Sequence, residues 1–317
     1  MRKLLTAVVR RQGRSPSAAR RGRVSGGGIP ALLVFALPVL AAVVGSAGAA
    51  GGLPAVGTAA ENVEHSSIPG AAAYGDGWAI PLKAQRPSWY TDEHAARSRK
   101  SPGSPQPAPT DAPLPSEVGI RPGAWMIEPY ACTMNFVFAK GPKLAIGTAG
   151  HCTDSLRQEV VLLTLAPGGA DPVLVNVGKV VARQDNGVGD DFALVEIYPE
   201  LYSWVSATTA VIGGPCGTYN GSGPETVWHY GHGLAIGTGG TPRAGTALTW
   251  QQDAFGWTGA SIFGDSGSPV RVTDLKAAGD LTHLVVDWLP SIVVGTRISK
   301  MLQIAAGWRL VSSPLCL

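Results

Sequence analysis

Three short segments of the sequence carry a serine, a histidine and an aspartate in contexts that suit nucleophilic catalysis. Ser266 stands in the glycine-rich string Gly264–Pro269, and His151 follows a Thr-Ala-Gly turn. The pair Asp190 and Asp191 lies between them and precedes an apolar run. A serine hydroxyl is a weak nucleophile until a histidine accepts its proton, and the histidine needs a carboxylate to fix its tautomer. The sequence therefore predicts a catalytic triad in the order His, Asp, Ser.

The segments that carry these residues are Thr148–Cys152, Asp191–Leu194 and Gly264–Pro269. They resemble the three signatures of chymotrypsin-like serine proteases, particularly those of the small secreted bacterial branch. The resemblance implies two antiparallel six-stranded β-barrels with the active site in the cleft between them. It also implies peptide-bond hydrolysis through an acyl-enzyme intermediate, with no cofactor.

The family pattern places the catalytic carboxylate immediately before the Phe-Ala-Leu strand, which selects Asp191 and leaves Asp190 as a competitor. Adjacent side chains of a strand point in opposite directions, so only one of the two can face His151. If both were solvated loop acids, His151 would lack an orienting partner. Gly150 stands where alanine is commoner in the family, and Ser268 where glycine is commoner. Both residues are small, so the chemistry is expected to persist.

The nucleophile turn is expected to hold the oxyanion as well as the serine. By resemblance, the backbone N–H groups of Gly264 and Ser266 form the oxyanion hole. Asp265 lies between them, is buried in the family and needs a cationic partner. The chain shows no Ile-Val-Gly-Gly start that would supply an N-terminal amine. An internal arginine is expected instead, with Arg243 as the first candidate and Arg271 in reserve.

The residue before the scissile bond is expected to be small or apolar. The resemblance places the floor of the specificity pocket at Ala260, with Ser261 beside it. Neither is a carboxylate, so a substrate lysine or arginine would be buried without a partner. Glutamate is the alternative, because His283 and Ser261 offer donors. The favoured interpretation of His283 is nevertheless that of a structural histidine in a strand. The far wall is assigned to residues 283–290.

The pattern of the chain predicts an all-β protein. From Gly119 onward, short apolar or alternating runs are separated by Gly, Pro, Asn and Asp, which is typical of a sandwich or barrel. Ten strands are predicted, beginning with Cys132–Ala139. Helical spacing of apolar residues predicts a short helix over Ser299–Gly307. The resemblance assigns barrel one to residues 119–205 and barrel two to residues 206–317.

Residues 1–49 have the composition of a secretory signal. Eight Lys/Arg and no acidic residue fall within residues 1–23, and an apolar run from Ile29 to Val44 leads to small residues suited to cleavage near Ala49. A membrane anchor normally needs about 20 apolar residues, and Pro38 interrupts this shorter run. A secreted, extracellular protein without stable membrane association is predicted, with a retained anchor as the alternative.

Residues 50–118 are predicted to be a propeptide or linker that is largely disordered. Six prolines fall in Ser101–Pro115, and such a stretch buries too little apolar area to fold alone. The basic run Arg97–Lys100 suggests a processing site near Arg99 and Lys100. A plain linker without processing is the alternative.

The excess of positive charge belongs to the leader. The formal net charge of the chain is +3, yet residues 116–317 contain twelve Lys/Arg against sixteen Asp/Glu. A nucleic-acid partner is therefore not predicted. The expected partner is a protein or peptide substrate, and the expected state is a monomer.

The four cysteines are Cys132, Cys152, Cys216 and Cys316. In an oxidising compartment they are expected to form two disulfides, with three pairings open. The resemblance implies a bond between Cys132 and Cys152 beside the active site. A bond between Cys216 and Cys316 would tie the segment between the barrels to the C-terminal helix.

Metal binding is not predicted. The cysteines show no CxxC spacing, which disfavours a zinc site. His229 and His232 point to opposite faces at strand spacing and are interpreted as structural. Two alternatives to a secreted serine endopeptidase stay open: a protease-fold binding module without turnover, and an esterase of the same fold.

Overall fold

The computed structural model describes residues 68–233, 240–286 and 292–316, and these residues are mainly β-structure. The strands are β1 (Ala72–Tyr74), β2 (Gly77–Pro81), β3 (Gln106–Pro107), β4 (Trp125–Glu128), β5 (Cys132–Thr133), β6 (Val137–Lys140), β7 (Lys143–Thr148), β8 (Glu159–Leu165), β9 (Pro172–Asp185), β10 (Asp191–Ile197), β11 (Glu225–Gly231), β12 (Thr241–Trp250), β13 (Ala254–Thr258), β14 (Pro269–Val272), β15 (Ala277–Asp280), β16 (His283–Val286), β17 (Ile292–Thr296) and β18 (Arg309–Leu310). The helices are α1 (Asp92–Lys100), α2 (Ile298–Ile304) and two short 3-10 helices, Gly150–Cys152 and Pro199–Trp204.

The first sheet positions the histidine and the aspartate. Its nine strands are antiparallel in the order β18-β6-β7-β10-β9-β8-β4-β5, with β3 paired to β9. Strands β7 and β10 are neighbours, and Ala193 lies opposite Thr148. This register brings the start of β10, at Asp191, beside the turn that follows β7 and contains His151.

The second sheet positions the serine. Its nine antiparallel strands follow the order β1-β2-β16-β17-β13-β12-β11-β14-β15. Ser266 lies in the connection between β13 and β14. Strand β13 is paired with β12 on one side and with β17 on the other, and this pairing fixes its register. Strand β16 is flanked by β17 on one side and by β2 on the other.

The predicted all-β class, with two antiparallel sheets and a short C-terminal helix, is confirmed. Each sheet has nine strands, more than the six expected. Each sheet also includes strands from the opposite end of the described chain. Strands β1 and β2 precede the first sheet in sequence but extend the second, whereas β18, near the C-terminus, joins the first. The expected strand Cys132–Ala139 is divided into β5 and β6.

The expectation of disorder over residues 50–118 is wrong for residues 68–118. Helix α1 begins after Thr91, whose hydroxyl accepts a hydrogen bond from the backbone N–H of His94. Tyr90 and Ala95 are buried in one apolar cluster with Trp125 of the first sheet. The segment is stabilised because its apolar side chains are buried against the first sheet. The local composition of the segment does not reveal this contact. Residues 1–67, including the expected signal, lie outside the described residues.

Two disulfides connect parts of the fold that are distant in sequence. Cys132 is bonded to Cys152, and Cys216 to Cys316. These are the pairings that were expected, and the first lies directly beside the turn that carries His151. Among the described residues, no helix combines the length and the apolar character that crossing a bilayer would require.

Candidate active site

Three side chains from the two sheets form one hydrogen-bonded series. The Nε2 atom of His151 lies 2.6 Å from Oγ of Ser266, and its Nδ1 atom lies 2.5 Å from Oδ2 of Asp191. The other carboxylate oxygen of Asp191 accepts the backbone N–H of His151 at 2.9 Å. Asp191 therefore fixes both the ring and the backbone of the histidine, and all three residues are buried.

The histidine turn leaves no room for a larger residue at position 150. A Cβ atom on Gly150 would lie 1.7 Å from the carbonyl oxygen of Gln184 and 2.9 Å from Oδ1 of Asp191. The departure from the commoner alanine therefore has a steric cause. The turn is pressed against β9 and against the carboxylate that orients His151.

The neighbouring carboxylate of Asp190 points away from the histidine. Its Oδ1 atom lies 3.2 Å from the amine of Lys300, and its Oδ2 atom accepts a hydrogen bond from Asn186 at 2.8 Å. Asp191, the residue that the resemblance selects, is thus the one that contacts His151, whereas Asp190 contacts Lys300.

A second histidine lies against the same carboxylate. His283 Nδ1 is 3.7 Å from Oδ2 of Asp191 and 2.9 Å from the hydroxyl of Thr282, and its ring meets that of His151 edge to face. Burial lowers the pKa of His283 to about 4, against the opposing pull of Asp191. A neutral imidazole therefore packs beside the triad near neutral pH.

The pKa values of two buried aspartates near this point are shifted in opposite directions. Burial alone would raise the pKa of Asp191, but the adjacent His151 and His283 outweigh it, and the pKa lies below its usual range. Burial, reinforced by the charge of Asp191, raises the pKa of Asp280 well above its usual range. Asp280 accepts hydrogen bonds from Asn135 and from the backbone of Thr296. The pKa values of these two buried carboxyl groups therefore lie on opposite sides of the usual range for aspartate.

The turn around the serine directs two backbone donors at a single acceptor. Gly264 has a φ of +104°, a left-handed conformation that favours glycine. The N–H groups of Gly264 and Ser266 both donate to the carbonyl oxygen of Leu82, at 2.5 and 3.4 Å. These are the two donors expected for the oxyanion hole, and a peptide carbonyl from the chain itself occupies them.

Asp265 is held by the arginine that was expected. Nη1 of Arg243 lies 2.6 Å from Oδ2 of Asp265, and both side chains are buried. The backbone N–H groups of Gly233 and Ile262 also donate to this carboxylate. The predicted pairing with Arg243 is confirmed, whereas the reserve candidate Arg271 donates to a backbone carbonyl elsewhere.

Two further histidines, His229 in β11 and His232 just after it, are buried in the protein interior. His229 lies 3.4 Å from Arg243, behind the Asp265 ion pair. His232 stacks on Trp125, and its Nε2 atom lies 3.1 Å from Oε2 of the buried Glu117. Both are packed in separate surroundings, in keeping with the structural interpretation.

The three residues expected in the specificity pocket differ in exposure and in contacts. Ala260 is exposed, and Ser261 is half-buried with an Oγ atom that has no hydrogen-bond partner among the described residues. The side chain of His283 contacts Asp191, Thr282 and the ring of His151. Part of the expected far wall, residues 287–290, lies outside the described residues.

One group of three side chains among the described residues has a geometry that could hold a metal ion. It consists of His151, Asp191 and His283, whose ligand atoms all lie within 4.8 Å of one another. An ion bound there would engage the carboxylate that orients His151. Metal binding at this point would therefore compete with the triad.

The structure brings an unexpected segment into the cleft. This segment, the strap (Gly77–Ala84), contains β2 and the three residues that follow it, and Leu82 provides the carbonyl in the oxyanion hole. Sequence reasoning placed the strap in a disordered leader. Its apolar run from Trp78 to Leu82 was the signal for a strand. Thr282 and Asp280 were also missed, because only the fold brings them to the triad.

The buried histidines His229 and His283 are expected to make the protein less stable as the pH falls from 6.5 to about 4. Burial lowers the pKa of each from 6.5 to about 4. In this window the unfolded chain binds a proton at each histidine that the folded chain does not bind. Acidification therefore removes about 1.4 kcal/mol of unfolding free energy per histidine and per pH unit.

Asp280 changes the unfolding free energy in the opposite direction. Because its pKa is raised in the folded protein, the folded chain keeps this proton at pH values where the unfolded chain has lost it. The slope of unfolding free energy for Ser266→Ala protein, measured with urea, should therefore lie below the two-proton value of about 2.7 kcal/mol per pH unit. Replacing Asp280 by asparagine should steepen it. An unchanged slope in Asp280→Asn would contradict the raised pKa of Asp280.

Neither a protein-family model nor a curated protein sequence matches the chain. Among solved structures, Thermobifida fusca Protease A is 21% identical, with 61% of this chain and 99% of that chain covered and a TM-score of 0.45. A glutamic acid specific serine protease that uses a histidine triad in substrate binding is 18% identical, with 61% and 100% covered and a TM-score of 0.44. An alpha-lytic protease homologue, N4, is 16% identical, with 60% and 97% covered and a TM-score of 0.43. These likenesses are weak, and what the protein does is inferred from its own site.

Proposed function

We propose that the protein is a secreted serine endopeptidase with Ser266 as the nucleophile. The observation that carries the proposal is the series Ser266–His151–Asp191, with contacts of 2.6 and 2.5 Å, next to two convergent backbone donors. Ser266 attacks a peptide carbonyl carbon while Nε2 of His151 accepts the hydroxyl proton. His151 then gives that proton to the leaving amine, and Asp191 holds the ring in the required tautomer.

The N–H groups of Gly264 and Ser266 stabilise the oxyanion of the tetrahedral intermediate. Loss of one such donor costs on the order of 3 kcal/mol of transition-state stabilisation. Water then attacks the acyl-enzyme ester, with His151 as the general base. The ion pair between Arg243 and Asp265 lies directly behind these donors and holds the turn in place.

The hydrogen bonds available along the cleft favour a peptide over a simple ester as the substrate. The carbonyl of Thr282 accepts the N–H of Leu82 at 3.1 Å, and Ala131 exchanges two backbone hydrogen bonds with Ala84. These positions lie on either side of the bond that follows Leu82. A cleft that binds amide groups on both sides suits cleavage within a chain.

We further propose an apolar preference at the residue before the scissile bond. Leu82, which occupies this position, is buried in an apolar cluster that includes Trp257 and Val293. Burying a leucine side chain stabilises by about 1.5–3 kcal/mol. Peptides with leucine at this position should therefore show kcat/KM values about 10- to 100-fold above matched peptides with glutamate or lysine. Faster cleavage after glutamate would contradict the preference.

A fluorophosphonate probe tests the catalytic proposal against a binding module without turnover. The full-length protein should be labelled covalently and should hydrolyse a leucine peptide, whereas Ser266→Ala should do neither. Ser268→Ala is the matched control, because Ser268 is buried two residues further along and its Oγ atom has no hydrogen-bond partner in the part of the chain that the structure describes. Labelling that survives in Ser266→Ala, or its absence from folded wild-type protein with a free cleft, would reject the proposal.

Secretion is part of the proposal and is supported by the two disulfides, since such bonds persist in oxidising compartments. The expected signal over residues 1–49 is consistent with that route. Fractionation of a culture that expresses the full chain tests it. Protein that is retained in the cytoplasm with reduced cysteines would contradict secretion.

A further inference from the structure

The strap (Gly77–Ala84) lies in the active-site cleft as an added β-strand. Strand β2 pairs antiparallel with β16, with Ile80 opposite Leu284 and Pro81 opposite His283. The pairing continues past β2, because the N–H of Leu82 donates to Thr282. An extended peptide that adds to a sheet edge in this way is bound through its main chain, and its side chains enter neighbouring pockets.

The carbonyl of Leu82 is held where an attacked carbonyl must be. Both donors of the predicted oxyanion hole, on Gly264 and Ser266, converge on its oxygen at 2.5 and 3.4 Å. One of these donors belongs to the nucleophile residue itself. The hydroxyl of Ser266 is 2.6 Å from the base, His151, so the serine, the base and the held carbonyl are assembled in one place.

The chain on the other side of this carbonyl is also held. Nζ of Lys83 donates to the backbone carbonyl of His151 at 2.9 Å and lies 3.9 Å from the centre of the Tyr130 ring. Ala84 then exchanges two backbone hydrogen bonds, of 2.9 and 3.0 Å, with Ala131. The Leu82–Lys83 bond is therefore fixed on both sides across the centre of the site.

The sequence of the strap fits this position closely. A Cβ atom on Gly77 would lie 2.3 Å from the carbonyl oxygen of Val286, so only glycine allows β2 to approach β16 at this point. The processing site suggested from the basic sequence, near Arg99 and Lys100, lies instead at the end of helix α1, and Arg99 is paired with Glu128. A helical backbone cannot add to a sheet edge.

We infer that the Leu82–Lys83 peptide bond is a self-processing site, cleaved within the same molecule by Ser266. The inference rests on the proposed function and extends it to a first substrate. Ser266 Oγ forms an ester with the Leu82 carbonyl carbon, the C–N bond breaks, and His151 passes the serine proton to the amine of Lys83. One water molecule then hydrolyses the ester, which leaves a carboxylate at Leu82 and regenerates Ser266.

Cleavage would convert a blocked cleft into an open one. Before cleavage, the strap fills the positions on both sides of the scissile bond and excludes other substrates. Both disulfides join residues that lie after Lys83 in the sequence. The fragment that ends at Leu82 is therefore free of covalent ties and can leave β16, whereas the packed segment around Tyr90 stays with the enzyme.

The test follows the full-length chain by intact mass and N-terminal sequencing as it folds. Wild-type protein should yield a fragment that begins at Lys83, at a rate independent of protein concentration. Ser266→Ala should stay intact, even when it is mixed with processed wild-type enzyme. Cleavage of the mixed Ser266→Ala chain at this bond would overturn the intramolecular mechanism, and a wild-type protein that stays intact would overturn the site.

Variants of Leu82 test whether cleavage occurs at the bond that follows this residue. Leu82→Asp places a charge in the apolar cluster and should abolish the Lys83 terminus, whereas Leu82→Met should restore it. Leu114→Asp is the matched control, because Leu114 is 72% exposed and the change leaves the cleft untouched. Lys100→Gln should process normally. Unaltered processing in Leu82→Asp, or its loss in Lys100→Gln, would assign the cleavage to another bond.

Peptide hydrolysis distinguishes failure of this inference from failure of the proposed function. Wild-type protein that hydrolyses a leucine peptide through Ser266 yet keeps its Leu82–Lys83 bond would overturn self-processing alone. Gly77→Val places its side chain against the carbonyl of Val286, and this variant is expected to loosen the pairing of β2 with β16 before any processing. If this variant is folded but neither hydrolyses peptides nor labels with a fluorophosphonate, both proposals fail together.

Discussion

Replacing Asp191 by asparagine is expected to lower the kcat/KM of the processed enzyme by about 10⁴-fold. The Asp191 carboxylate accepts from Nδ1 of His151 at 2.5 Å, which keeps the proton on Nδ1 and leaves Nε2 free to accept from Ser266. An amide NH₂ group turned toward Nδ1 would favour the other tautomer. Nε2 would then carry the proton and could not act as the base.

The adjacent aspartate supplies the matched control for this prediction. Asp190→Asn makes the same chemical change one residue away, on a side chain that faces Lys300 and Asn186. Its kcat/KM should stay close to that of the wild type. Steady-state kinetics on one leucine peptide compares the two variants, and circular dichroism checks that both are folded. Equal losses in the two variants would mean that Asp191 does not orient His151.

The neutral His283 beside Asp191 gives this prediction a further consequence. Because burial lowers the pKa of His283 to about 4, its ring adds no positive charge near neutral pH. Asp191 therefore has one cation to stabilise when His151 becomes protonated during the reaction. In Asp191→Asn that imidazolium would have no ionised partner among the groups that contact its Nδ1 atom.

The triad and its supporting ion pair could be predicted because short contiguous motifs of the sequence resemble those of a known family. The motifs around His151 and Ser266 are contiguous, and the resemblance implies that Asp265 is buried and needs a cation, for which Arg243 and Arg271 are the candidates. Arg243 satisfied that demand. The same resemblance selects Asp191, which stands directly before the Phe-Ala-Leu strand, and strand alternation implies that only one of the two aspartates faces His151. None of these inferences required knowledge of which strands are paired.

The strap could not be predicted by the same reasoning, because its order comes from a partner far along the chain. Residues from Gly77 to Pro81 are ordered by pairing with β16, and no local pattern names that partner. The proline-rich stretch Ser101–Pro115 further suggested a segment without structure. Glu117 shows the same limit: it is fully buried against His232, a contact that only the assembled fold creates.

Removing the cation behind the oxyanion turn is expected to be among the most damaging changes to stability. Arg243→Met should lower the unfolding free energy by about 3–5 kcal/mol, because it leaves a buried carboxylate without its partner. The two backbone donors from Gly233 and Ile262 would remain on Asp265 but cannot neutralise its charge. Urea unfolding in the Ser266→Ala background measures the loss without interference from self-digestion.

Two further variants decide whether the charge of Asp265 is the cause. In Arg243→Met/Asp265→Asn the buried charge is gone, so the double variant should be more stable than Arg243→Met alone. Arg271→Met is the matched control, since the guanidinium of Arg271 contacts backbone carbonyls and Trp228. It should cost less than Arg243→Met. A double variant no more stable than Arg243→Met would show that the arginine acts through packing, and the turn that carries Gly264 and Ser266 would then owe its shape to sterics alone.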